Sequence, residues 1–127
     1  HVYKGTELAN HPSPFIANAL TRNVLASTGA CVAIERSKFE QLGGFDEAFE
    51  ICGSDVELGI RAHKHGLQNL YLAPVKLRHF ESKTRGSEVP EVDFIQSDLK
   101  YAPYRLNGDP FYNPNLAQYA STPTVAA

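Results

Sequence analysis

The sequence predicts an α/β chain, and three observations carry that expectation. Ser27 to Glu35 alternates between larger and smaller side chains with the period of a strand. Two Ser-x-x-Glu boxes, Ser37 to Glu40 and Ser54 to Glu57, open segments that close on glycine, as short helices do. Leu67 to Leu72 and Val75 to Phe80 are short apolar runs split by Ala73-Pro74, which reads as two strands around a turn.

From His1 to about Asn23 no period is sustained, and Pro12 and Pro14 discourage helix, so this stretch is expected to be extended or loop. In the alternating run, Thr28, Ala30, Val32 and Ile34 share one face, with Gly29, Cys31 and Ala33 on the other. A buried strand is expected there. The helix opened by Ser37 stops at Gly43-Gly44 and turns Phe39 and Leu42 to the core. The one opened by Ser54 runs about three turns to Gly66. In the two following strands, Leu70, Leu72, Val75 and Leu77 are the core candidates. Glu81 to Pro90 is a polar loop. Val92, Phe94, Ile95 and Leu99 then fit one side of a helix expected to stop before Pro103, and the remainder, with Pro110, Pro114 and Pro123, reads as loop and tail.

The 127 residues carry a net charge of −2 with scattered basic residues, which gives no footprint for nucleic acid or an anionic membrane. Two cysteines, Cys31 and Cys52, are too few for a disulfide framework and lack metal-binding spacing, so reduced thiols and a cytoplasmic setting are expected. No apolar run approaches the roughly 18 residues that span a bilayer.

Among the titratable residues, Asp55 stands out. A cap at Ser54 would put its carboxylate in the first turn of a helix, where the macrodipole favours the ionised form, able to accept a proton from a substrate hydroxyl. Acidic residues are also ordinary in first turns, so local pattern leaves both readings open.

The wider string adds information that the local pattern lacks. TGACVAIERSKFEQLGGFDEAF, then SDVELGIRAHKHG, then VKLRHFESKTRG closely resembles the second half of family 2 glycosyltransferases. The likeness spans roughly Asn23 to Gly86. The closing run Gly108-Asp109-Pro110-Phe111-Tyr112-Asn113-Pro114-Asn115-Leu116 is similar to a tail common in bacterial polysaccharide members. The resemblance implies the C-terminal, acceptor-side part of a GT-A mixed-sheet fold, with residues 23–86 as the core motif region and 87–127 as a C-terminal helix and tail. It implies that Asp55 deprotonates an acceptor hydroxyl, which attacks the anomeric carbon of a nucleotide sugar and inverts it. Ser54 departs from the pattern, standing where the first residue of an acidic pair is usually Glu, and Glu57 stands where Asp is frequent.

By the same resemblance His79 matches a histidine that helps hold the divalent metal, Mg or Mn, on the donor diphosphate. Lys83 and Arg85, in a loop rich in donors just after it, suit the diphosphate itself. Arg61 is expected to reach a carboxylate or phosphate or to cover apolar surface with its stem. Asp46 and Glu47 are read as turn and cap residues, and His63 as a surface residue.

The family anchors its metal through an Asp-x-Asp motif in a nucleotide-binding half, and no Asp-x-Asp occurs in this sequence. The expectation is therefore a fragment of a larger enzyme, without donor affinity or a bound metal of its own. Its exposed edges would favour a homo-oligomer. The parent enzyme would take a nucleotide-sugar donor and a glycan or lipid-linked acceptor, in the cytoplasm or at the inner face of the plasma membrane. The competing reading is a catalytically silent glycan- or nucleotide-binding module derived from such an enzyme, for which Ser54 is the best support. A purely structural fragment is the third.

Overall fold

A computed structural model of the chain describes residues 20–77, 79, 88–117 and 124–126. In chain order the elements are strand β1 (Arg22–Val24), a 3-10 turn (Gly29–Cys31), helix α1 (Arg36–Gln41), helix α2 (Ser54–Lys64), strand β2 (Asn69–Tyr71) and helix α3 (Glu91–Asn107). β1 and β2 pair antiparallel, with Arg22 opposite Tyr71, Asn23 opposite Leu70 and Val24 opposite Asn69. The Arg22 guanidinium lies 4.9 Å from the centre of the Tyr71 ring, a cation–π contact across that register.

Helix α2 is the centre of the packing. Its buried residues include three in succession, Leu58, Gly59 and Ile60, with Ala62 one turn on from Leu58, so the helix is covered on more than one side. Leu58 and Ala62 form a cluster with Leu42, just past α1, and Phe39 and Leu67 pack against it. The expected inward faces of Phe39 and Leu42 are thus found. Asn69 ties the pieces together, its side-chain amide donating to the carbonyls of Leu25 and Gly59, both at 2.8 Å.

Gly59 is where α2 comes closest to the chain after β1. A Cβ there would sit 2.6 Å from Ala26 Cβ and 2.7 Å from Ala26 Cα, distances that backbone cannot accommodate without moving. Alanine would add about 1 kcal/mol of helix propensity. Forcing atoms into a filled contact costs about 1–3 kcal/mol. Gly59→Ala is therefore expected to lower stability by up to about 2 kcal/mol in urea denaturation, whereas a rise would show that α2 can lift off at no cost.

Several expectations need correction. Ser27 to Glu35 is no buried strand: Thr28 Oγ1 accepts from the Ala30 amide at 3.3 Å and starts a 3-10 turn, and residues 28–35 are exposed. The backbone at Thr28 and Val32 is extended, so the alternation did report local conformation, but it pairs with no strand among the described residues. Leu70, Leu72, Val75 and Leu77 are exposed, because the two-stranded sheet buries only what meets α2; Ala73 is the buried residue of that stretch. Val75 to Leu77 forms no ladder.

The helix boxes also differ. α1 begins one residue before Ser37, whose hydroxyl donates to Glu35 instead of capping, and with Lys38 this holds the Glu35 carboxyl below its usual range. α3 runs straight through Pro103. Proline removes one helical hydrogen bond, but Pro103 and Leu99, whose carbonyl is freed, both lie on the exposed side, where water can take the bond.

Candidate functional site

Asp55 sits in the first turn of α2, half-buried. The helix is entered through Gly53, whose φ of 109° is open to glycine and strained for other residues. Space gives a second reason for glycine: a Cβ at Gly53 would lie 2.7 Å from the Phe49 ring and 3.0 Å from the Tyr101 hydroxyl oxygen. The cap is thus Gly53 and not Ser54, which is the first helical residue. Glu57 does not complete a capping box. Its carboxylate receives Arg61 Nε at 3.1 Å and Nη2 at 2.5 Å, one turn on, in a mostly buried pair.

The Asp55 carboxylate is held from outside its helix. The Gly29 amide donates to Oδ2 at 2.6 Å across 26 residues of sequence, and the Val56 amide donates to Oδ1 at 2.8 Å. A Cβ on residue 29 would stand 3.2 Å from Asp55 Cβ and 3.4 Å from Oδ2, so a glycine lets the turn come this close. Each carboxylate oxygen has two lone pairs. One N–H bond apiece fixes the group and still leaves room for a proton.

The loop that leads into α2 is gripped by α3. Asp93, 1% exposed, accepts the amides of Glu50 at 2.7 Å, Ile51 at 3.0 Å and Cys52 at 2.7 Å. Tyr101 donates its hydroxyl to the Gly53 carbonyl, which also receives the Glu57 amide at 2.9 Å, and its ring stacks on Phe49 at 6.3 Å. Burial pushes the Tyr101 hydroxyl up to about 12; a hydrogen bond with Ser97 opposes this, and the charges of Asp55 and Glu57 add to it. The phenol therefore stays a donor throughout the physiological range. Lys100 pairs with Asp46 and holds its carboxyl below the usual range, helped by the Ala48 amide donating to Asp46 at 3.0 Å. Asp46 is the turn residue the sequence suggested.

Arg61 closes the other side. Besides Glu57, its guanidinium donates to the carbonyls of Leu42 and, at 2.8 Å, of Gly44, so it fastens α2 to the end of α1. His63 is not a plain surface residue: its ring meets Phe111 edge-on at 5.3 Å and Tyr104 at 6.4 Å, which docks the tail segment.

Of the four predicted site residues, Asp55 is the one given a built environment. His79 is exposed, and Lys83 and Arg85 lie outside the described residues. Among the described residues no three His, Cys, Asp or Glu side chains come together to hold a metal. A Mg or Mn ion wants near-octahedral coordination rich in oxygen. One imidazole does not meet that demand, so the described residues do not by themselves fit the implied cation.

The model of the family described as "glycosyltransferase like family 2" matches residues 2–93, most of the chain and all of the Asp55 surroundings up to the start of α3. This chain belongs to glycosyltransferase family 2. Among curated relatives, the chain is 43% identical over 128 residues to the O-antigen biosynthesis protein RfbC of Myxococcus xanthus, covering 91% of this chain and 10% of that protein. It is 34% identical over 61 residues to the N-acetylglucosaminyl-diphospho-decaprenol L-rhamnosyltransferase of Mycobacterium tuberculosis, covering 48% of this chain and 20% of that enzyme. A Sinorhizobium fredii protein, y4gI, is 33% identical over 84% of this chain and 12% of its own length. The chain thus spans about a tenth to a fifth of the relatives it matches. No solved structure matches it. No helix among the described residues is long and apolar enough to cross a membrane.

Sequence reasoning singled out Asp55 and did not anticipate Gly29, Asp93 and Tyr101 around it. The signal for Gly29 lay in the Thr-Gly-Ala run, read as strand. Asp93 gave no such signal: it shares the first turn of α3 with Glu91, as ordinary acidic residues of a helix start do.

Proposed function

We propose that this chain forms the acceptor side of an inverting, nucleotide-sugar-dependent glycosyltransferase with a GT-A fold, acting in bacterial surface-polysaccharide synthesis as part of a longer enzyme. The observation that carries this reading is the Asp55 carboxylate, fixed at the start of α2 by the Gly29 amide at 2.6 Å within the family-matched segment. A carboxylate held this way is ready to act as a base without first being ordered.

In this reading Asp55 takes the proton of an acceptor hydroxyl as that oxygen bonds to the anomeric carbon. The bond from that carbon to the diphosphate breaks on the opposite face, and the nucleotide diphosphate leaves with the electron pair. One displacement inverts the anomeric centre. Lys83 and Arg85 are proposed for the diphosphate, and His79 as one ligand of a divalent cation whose other ligands lie outside the described residues. The relatives' names support a glycan or polyprenol-linked acceptor. The apolar side chains left exposed on β2 and after it support packing against further chain or a second copy.

The test is transfer by the intact protein from a panel of labelled nucleotide sugars to lipid-linked or oligosaccharide acceptors, with the product anomer read by NMR. An inverted linkage is expected. A retained linkage rules out the single displacement at Asp55, and donor binding without transfer to any acceptor favours the silent module to which Ser54 points.

A further inference from the structure

We infer that Asp93, with Tyr101, positions Asp55: α3 is a brace that sets where the base stands, although neither side chain touches the reacting atoms. This rests on the reading of Asp55 as the base.

The geometry is a short chain of contacts. Asp93 fixes three consecutive amides, those of Glu50, Ile51 and Cys52, and the next residue is Gly53, the helix cap with φ of 109°. Glycine at that φ is a flexible joint, because nothing in its own side chain resists rotation. Left to itself, it would let the first turn of α2 swing relative to the loop. Two features remove that freedom. The Asp93 carboxylate holds the loop on one side of the joint, and Tyr101 holds the Gly53 carbonyl itself, with its ring stacked on Phe49. Asp55 follows two residues later, and its Oδ2 accepts the Gly29 amide at 2.6 Å. The base is therefore held by two separate parts of the chain, by the turn at residues 28–30 directly and by α3 through the loop.

A carboxylate is the economical group for the loop contact. It offers two oxygens with about four lone pairs, enough for three N–H donors, whereas an amide has one accepting oxygen and would turn an NH2 toward one of them. Burying a charged group without such partners would be strongly unfavourable. Asp93 is also the last residue of the family-matched segment, and Tyr101 lies beyond it, so the brace joins the family's motif region to the helix that follows.

Misplacing a base by a fraction of an ångström lowers the chemical step while leaving donor and acceptor binding alone. The experiment compares Asp93→Asn and Tyr101→Phe with Asp55→Asn in the intact protein. Each is assayed well below its melting temperature, with circular dichroism confirming the fold. Asp93→Asn is expected to lower kcat about tenfold or more and Tyr101→Phe about threefold, with KM for donor and acceptor within twofold of the unsubstituted values. In an Asp55→Glu background, where the carboxylate is already displaced, the same second substitutions are expected to cost less than they do alone. Unchanged kcat in folded variants, or losses that appear in KM, would overturn the positioning role. Should Asp93→Asn fail to fold, Tyr101→Phe decides alone, since it keeps the ring and removes only the hydroxyl. If Asp55→Asn turns over normally, the base assignment fails and the inference goes with it. If Asp55→Asn is inactive while the folded Asp93 and Tyr101 variants are not impaired, the inference alone fails.

Discussion

Asp55→Asn in the intact protein is expected to lower sugar transfer by about 10²–10⁴-fold, the usual worth of a positioned general base. The substitution is almost isosteric. An asparagine oxygen can still accept the Gly29 amide that now meets Oδ2 at 2.6 Å, giving up only the local Val56 contact to Oδ1, so the turn and the helix start should largely keep their places. What is lost is the ability to take a proton, because the carboxamide is a poor base. The loss should fall on kcat, with donor KM little changed, since the donor diphosphate is assigned to other residues. Thermal melting of the variant should stay within a few degrees of the unsubstituted protein, which separates lost chemistry from lost fold. Initial rates with a labelled donor give the answer directly. Full turnover by Asp55→Asn would remove Asp55 from the mechanism.

Asp93→Ala is expected to be the most destabilising single change in the described part of the chain, by about 3 kcal/mol or more. Alanine removes the carboxylate from the part-buried amides of Glu50, Ile51 and Cys52, and each hydrogen bond to a charged group contributes about 1.5–3 kcal/mol. Water entering the gap would recover part of that, which keeps the expected total near the lower end of the sum. A small domain has about 5–15 kcal/mol in all, so the change consumes a large share. Urea denaturation should show a lower midpoint with a similar slope, and hydrogen exchange should show faster exchange at residues 50–52 than elsewhere. A loss under 0.5 kcal/mol would mean that the three amides are equally well served without Asp93.

The parts of the fold legible in the sequence were those whose physics is local. The opening at Ser54 with Gly66 beyond it, and the glycines after Leu42, marked α2 and the end of α1, because a helix declares itself within a few residues. β1 went unseen since three residues carry too little pattern, and its partner Asn69–Tyr71 lies 45 positions away. Pro103 misled for a related reason. The cost of proline in a helix depends on whether the freed carbonyl is wet, and that is a tertiary fact.

The site was split along the same line. Asp55 was legible because its place in a linked set of motifs is a property of sequence. Its supports were not, because Gly29 reaches it from 26 residues before and the Asp93 amides lie 41–43 residues away from their acceptor. The Ser54-x-x-Glu57 box shows how a sound local rule yields to a stronger competitor. Arg61 sits one turn beyond Glu57 and is already aimed at the carbonyls of Leu42 and Gly44, so Glu57 pairs with it and the cap falls to Gly53.

The reach of α3 bears on where the working unit of this chain ends. A boundary drawn at residue 93, where the family match stops, would keep the Asp93 carboxylate but cut away the helix that carries it, along with Lys100 and Tyr101. Such a piece would contain every residue proposed for chemistry and still present Asp55 on a loosened joint. The tail past Gly108 belongs to the same unit, because Phe111 meets the His63 ring at 5.3 Å and Leu116 is buried.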